Sequence, residues 1–168
     1  ATLAWSAGQV DVVKTIEIVI NDDKIDENNE TFSLALSNNS STASILTGNA
    51  TVTISDNDTS GFVVDPVTLS ISEPSGADTF NIRLLTEPTD DVTVPLSSGT
   101  NCSVAASVTI NANAWDSGVD VTVTAVNDSV ADGTQPCTVN TGDPSSNDSI
   151  YEALTANDVD NVAVTVLD

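Results

Sequence analysis

Histidine and methionine are absent from the 168 residues, and the basic residues are only Lys14, Lys24 and Arg83. Without histidine there is no Ser-His-Asp or Cys-His relay and no ordinary His-containing zinc site. Against 25 acids those three cations leave a formal net charge of -22. Binding driven by counterion release needs clustered Lys and Arg, so the charge argues against nucleic acid or anionic membrane as partner. No apolar run approaches the ~20 residues of a membrane span, which excludes membrane insertion by a helix. No signal peptide is expected, because residues 1 to 20 already read as strands, and the chain reads as a mature piece of something longer. Catalysis is not expected either. The adjacent pair Asp90-Asp91 would point to opposite faces of a strand, and no base or nucleophile stands beside it.

Cysteine is scarce: Cys102 and Cys137, 35 positions apart and in no CxxC spacing. They could close one disulfide or remain two buried thiols. The Thr, Ser, Asn and Asp that dominate the surface, as in many secreted β proteins, favour the disulfide and an extracellular or cell-surface location. Asn-x-Ser/Thr sequons such as Asn49 and Asn147 arise by chance in such a composition and decide nothing by themselves.

What the chain does have is alternation. Strand patterns recur between turn signals, and no stretch shows a 3.6-residue period. Strands are expected at Thr2 to Ser6, Val13 to Asn21, Thr31 to Leu36, Ala43 to Thr47 and Ala50 to Ser55. After a short linker of Thr59, Ser60 and Gly61 a second series is expected: Val67 to Ser72, Thr79 to Leu85, Asp91 to Leu96, Ser103 to Ile110, Val119 to Val126, Pro136 to Asn140 and Val159 to Leu167. Seven strands in about a hundred residues is the count of an immunoglobulin-like antiparallel β-sandwich with Greek-key connections. The expectation is all-β, with residues 1–58 as one module that lacks its opening strands and residues 59–168 as a second.

The densest chemistry is NDDKIDENNETF, Asn21 to Phe32, which follows the apolar alternation Ile16, Ile18, Ile20. Asp22, Asp23, Glu27 and Glu30 crowd one strand end with a single Lys24 among them. At ~5 Å and an effective dielectric of ~20, each like-charged pair costs roughly 3 kcal/mol. A solvated loop escapes by splaying, whereas a folded turn needs a cation, and carboxylates alone are the ligands that hard ions such as Ca²⁺ take. An EF-hand is excluded: Asp56, Asp58, Ser60 and Gly61 open like one, but the twelfth position is Val67.

The two halves overlay as a repeat. Trp5-Ser6-Ala7-Gly8 corresponds to Trp115-Asp116-Ser117-Gly118, Asn21-Asp22 to Asn127-Asp128, Ile25 to Val130 and Glu30 roughly to Gln135, and ATVTISD to the closing VAVTVLD. Shared repeat positions make Trp5 and Trp115 packing residues rather than carbohydrate platforms.

The Trp, small residue, Gly step, the DDxxxExxETF spacing from Asp22 to Phe32 and the closing TVTISDND from Thr51 to Asp58 resemble the Calx-beta family. Residues 62–168 resemble it more loosely, through Ile71-Ser72-Glu73, Glu87 to Val94 and Asn111 to Trp115. The resemblance implies a seven-stranded sandwich with Ca²⁺ at one end. It assigns Asp22, Asp23, Glu27, Glu30, Asp56 and Asp58 to the first site, and Glu73, Asp128, Asp132 and Asp168 to the second. Asn127 stands in for the first Asp of the motif and Gln135 for the last Glu, so the second site should hold fewer ions or hold them more weakly. The first site lacks the strand-borne Glu. Three roles fit: a Ca²⁺-stiffened structural or adhesive segment of a cell-surface protein, acting beside neighbouring modules and leaving any matrix ligand to other domains; a filament subunit joined by strand complementation; or a regulatory Ca²⁺ sensor.

Overall fold

The computed structural model describes residues 3–6, 8, 12–37, 45 and 47–168. Its dominant unit is a β-sandwich of nine strands. One sheet has five, in the order β4, β11, β10, β6, β8, and the other has four, in the order β3, β5, β9, β7. The ranges are β3 Phe62–Asp65, β4 Thr68–Ser72, β5 Ala77–Leu84, β6 Val92–Ser98, β7 Cys102–Ser103, β8 Ser107–Ile110, β9 Val119–Ala125, β10 Gln135–Thr141 and β11 Val162–Leu167. Preceding them is a separate two-stranded antiparallel hairpin of β1, Glu30–Ala35, and β2, Asn49–Ile54. Among the described residues all strand pairings are antiparallel except β4 with β11, which run parallel from Ala163 opposite Thr68 to Leu167 opposite Ser72.

Period-two patterning fixes the core. Leu69 and Ile71 of β4, Phe80, Ile82 and Leu84 of β5, Val92, Val94 and Leu96 of β6, and Val162, Val164 and Val166 of β11 are all buried between the sheets. Their strand neighbours face out, as alternating side chains must. Cys102 on β7 and Cys137 on β10 are joined in a disulfide, with Cα atoms 6.0 Å apart, so the bond stitches one sheet to the other. Gly118 has φ +67°, and a Cβ there would collide with the Ile82 carbonyl, which only glycine avoids.

Several expected strands differ. Of the five expected strands of the first series, two are strands among the described residues, β1 and β2. Among the described residues, no strand precedes Glu30, so Val13 to Asn21 is not one, and neither is the described part of Thr2 to Ser6. Alternation alone does not make a strand; a paired edge does. Thr2 and most of Ala43 to Thr47 lie outside the described residues, and Ile45 and Thr47 are not in a strand. In the second series, β3 is an added strand, and Ser103 to Ile110 is two strands separated by a bend.

The sandwich has two poles. One gathers the 73–76 turn, the 126–134 loop and Asp168. The other gathers Leu85 to Asp91, Asn111 to Gly118 and Gly142 to Asn161. This second pole carries a short helix, α1, Ser149–Glu152, capped by Asp148. The buried Tyr151 of α1 donates its hydroxyl to the Thr86 carbonyl (2.9 Å) and packs edge-on against Phe62, with ring centroids 5.8 Å apart. The start of the sandwich is thereby pinned where residues 59–61 arrive.

Candidate metal centre

All six acids assigned to the first site line one cleft of about 550 Å³, together with Asn21, Asn28 and Ser55. Asp22, Asp23, Glu27 and Glu30 come from the turn that leads into β1, and Asp56 and Asp58 from the chain just beyond β2. The register sets this meeting: Glu30 faces Ile54 across the hairpin, so whatever precedes β1 lies beside whatever follows β2. The lining is oxygen-rich and carries neither thiol nor imidazole, which suits a hard divalent cation. Among the described residues, however, no three acids stand close enough to hold an ion as placed. Like charges line both walls: Asp22, Asp23, Glu27 and Glu30 are exposed, and Asp56 and Asp58 are half-buried.

Hydrogen bonds hold the loop in shape. Asp23 accepts from the Ile25 amide (3.0 Å), closing an Asx turn, and Asp56 accepts from the Glu27 amide (3.3 Å). Asn29 returns a bond by accepting from the Asp56 amide (3.0 Å). Asp26, an acid of the same run that the DDxxxExxE spacing passes over, accepts from the Ser60 amide (2.6 Å). The Lys24 carbonyl accepts from the Glu87 amide (2.8 Å), and the Gly61 carbonyl from the Leu85 amide (3.0 Å). The acidic loop therefore bridges the hairpin, the linker and the near pole of the sandwich. Asp26 and Asn29 escaped sequence reasoning because their work is backbone capping, whose only signal is the high density of Asp and Asn.

The second set lies at the far pole. The Glu73 amide donates to the Leu167 carbonyl (2.8 Å), which puts Glu73 beside the end of β11. Asp168 accepts from the Gly133 amide (3.3 Å), and Asp128 from the Val130 amide (2.8 Å). Asp132 lies in the same loop, where its amide donates to the Val130 carbonyl (3.0 Å). The local plan copies the first: an Asx turn, and a closing-strand aspartate that accepts from the turn. It also corrects the overlay by one residue, because Asp23 and not Asp22 is the counterpart of Asp128, and Asp22 is that of Asn127. Asp128, Asp132 and Asp168 are exposed and Glu73 is half-buried.

A third polar cluster was not expected. Asp148, buried at the near pole, accepts from the Thr89 amide (2.7 Å), the Thr89 hydroxyl (3.0 Å) and the Ile150 amide (2.8 Å). Burial pushes its carboxyl up, but the donors from Thr89, Ile150 and Tyr151 outweigh burial and hold it below the ordinary range. Asp90 is also held low, by the Asn147 amide and the Asp91 backbone. Burial raises the Tyr151 phenol above its usual value. These groups consume one another's hydrogen bonds and form a structural buttress.

Of the two tryptophans, Trp115 packs against the core, whereas Trp5 is half exposed, donates its ring N–H to the Val12 carbonyl (3.1 Å) and lies 5.9 Å from the Lys14 ammonium.

Comparison with known proteins gives one family match: residues 2–58 match the Calx-beta domain. Among curated proteins, none matches. Of solved structures, the chain is similar to a C. elegans protein titled "Structure of WR4, a C.elegans MSP family member", with 13% identity over 63% of this chain and 95% of that one and a TM-score of 0.38.

Proposed function

We propose, from the match of residues 2–58 to the Calx-beta domain, that this chain is a non-enzymatic Ca²⁺-binding structural segment of an extracellular or cell-surface protein. In this reading residues 1–58 and 59–168 are two modules, and the cation acts at the seam between them. One observation carries it: six carboxylates from two sequence stretches line a single cleft whose loop also hydrogen-bonds to Ser60 and Glu87. Ca²⁺ would be held by Asp22, Asp23, Glu27, Glu30, Asp56 and Asp58, and would supply the positive charge that lets those side chains turn inward. A loop drawn tight around an ion holds the linker as well, so binding stiffens the array. At the far pole Glu73, Asp128, Asp132 and Asp168 would hold an ion more weakly, having fewer acids. The disulfide fits an oxidising location, and no helix among the described residues is long and apolar enough to cross a membrane.

Thermal unfolding in excess Ca²⁺, in excess Mg²⁺ and with a chelator tests the reading. Ligand at 100 times its Kd stabilises by about 2.7 kcal/mol if it binds only the folded state. A rise specific to Ca²⁺, abolished by Asp56→Asn with Asp58→Asn, is expected. Coincident melts would sink it.

A second reading, assembly by strand complementation, is favoured by the row Ile16, Ile18, Ile20, which is 41 to 49% exposed beside a hairpin that pairs with no third strand among the described residues. No separate observation favours a regulatory sensor.

A further inference from the structure

The two sheets of the sandwich turn unlike faces to solvent. On the four-stranded sheet the outward positions include Asp65 of β3, Arg83 of β5 and Asp120 of β9. On the five-stranded sheet, β4, β11, β10, β6 and β8 carry no charged residue, although the chain has 25 acids. Their outward side chains are Ser, Thr, Asn, Ala, Pro and Leu, and all but the half-buried Thr93 are exposed. The register sets them side by side: Ala163 lies between Thr68 and Thr138, Thr165 between Ser70 and Pro136, and Asn140 beside Ser97. Acids return just past the strand ends, with Glu73 and Asp168 at one pole and Asp91 and Asp143 at the other. Strand propensity explains the threonines. It does not explain the missing charge, because the four-stranded sheet alternates in the same way and keeps its charged residues.

We propose that the outer face of the five-stranded sheet is a self-contact, on which the same face of a second copy packs about a two-fold axis. The inference rests on neither the calcium reading nor the complementation reading. Charge identifies the occupant. A cationic partner is served by acids, which this face lacks, whereas a partner that itself carries -22 is served by their removal. In a two-fold contact each patch meets its own copy, so any acid on it would be set against acids of the same patch. Depletion of charge, rather than bulk hydrophobicity, is also the compositional mark of the centre of such contacts.

Area sets the strength. Five strands about 4.8 Å apart, with about six residues at roughly 3.3 Å each, give a face of about 24 by 20 Å, or roughly 500 Å². A standard complex buries about 800 Å² per partner. The contact is therefore weak, and it fills where copies are concentrated or held side by side.

Sedimentation of the full chain over a concentration series tests this, with a chelator present throughout and salt raised from about 0.01 M to about 1 M. Salt shortens the reach of charge from about 30 Å to about 3 Å, so self-association that strengthens about tenfold or more is expected. Thr138→Glu with Thr165→Glu should weaken it at least about tenfold at ~0.15 M salt, where charge still reaches about 8 Å. Thr79→Glu with Thr122→Glu adds the same charge at exposed positions of the four-stranded sheet and should leave it within about twofold. Thermal melts establish that both variants are folded. A monomer at every salt and at every concentration up to about 1 mM overturns the proposal. So does association that weakens with salt, or that both variants disturb equally. A chain that stays monomeric but is retained on uncharged agarose, and released by Thr138→Glu with Thr165→Glu, also overturns it and makes a neutral glycan the occupant.

Discussion

Ile16, Ile18 and Ile20 correspond to Val121, Val123 and Ala125, and the two triplets live differently. The first are 42, 41 and 49% exposed, the second 5, 0 and 5%. Pattern, β-propensity and the following Asx turn are shared, so none of these explains the difference. What β9 has and the first triplet lacks is company: β5 runs beside it from Ala77 opposite Thr124 to Ile82 opposite Val119, and β7 pairs on the other side. A strand is therefore a property of the pair, and an alternating sequence states only which face would be buried.

Placing a charge on each triplet breaks the comparison most sharply. Val123→Asp puts an unpaired carboxylate in the core and should cost about 4 kcal/mol or more, among the largest point effects, unfolding the sandwich. Urea titration followed by circular dichroism would show it. The same change at Ile18 should stay within about 0.5 kcal/mol, as surface changes do. A loss of more than about 1.5 kcal/mol there would mean the first triplet is buried in solution.

Next in size is the cross-link that only the second hairpin has. Reduction, or Cys102→Ser with Cys137→Ser, opens a 35-residue loop and should lower stability by about 3–4 kcal/mol. The β1–β2 hairpin should be unaffected, which amide exchange on Thr31 to Leu34 can follow.

Smaller still is the buttress at the near pole. Asp148→Ala strands the donors of Thr89 and Ile150 and should cost about 2–3 kcal/mol. The pH sign follows from the lowered folded value. Asp148 contributes fully above its unfolded pKa of about 4, and its contribution fades as pH falls through the folded value. Melts of wild type and Asp148→Asn should thus differ at pH 7 and draw together below about pH 4. A gap that holds constant down to about pH 3 would mean the carboxylate's charge is irrelevant there.

The sandwich was largely legible, because β4 to β6 and β8 to β11 each bury every second residue and the turns between them carry Gly, Pro, Asn or Asp. Two things were not. β3 was not expected as a strand because four residues give too little alternation, and its position depends on Leu84 across the sheet. Residues Val13 to Asn21 read as a strand because sequence shows a face and not a neighbour. At the first cleft, the DDxxxExxE spacing picked residues that do line one cavity, since the acids flank a hairpin whose register is set by Phe32 and Val52. Asp26 and Asn29 stayed hidden because a backbone cap leaves no periodic trace.

The parallel pairing of β4 with β11 has a mechanical consequence. The chain enters the sandwich through Phe62 at one pole and leaves through Leu167 at the other, and β4 and β11 lie side by side in the same direction over five residue pairs. A pull on the two ends slides these strands along each other. Their hydrogen bonds are then loaded together in shear, and none can open before the rest, as they would if peeled from one end. The sandwich resists stretching along the direction in which such a chain would carry load.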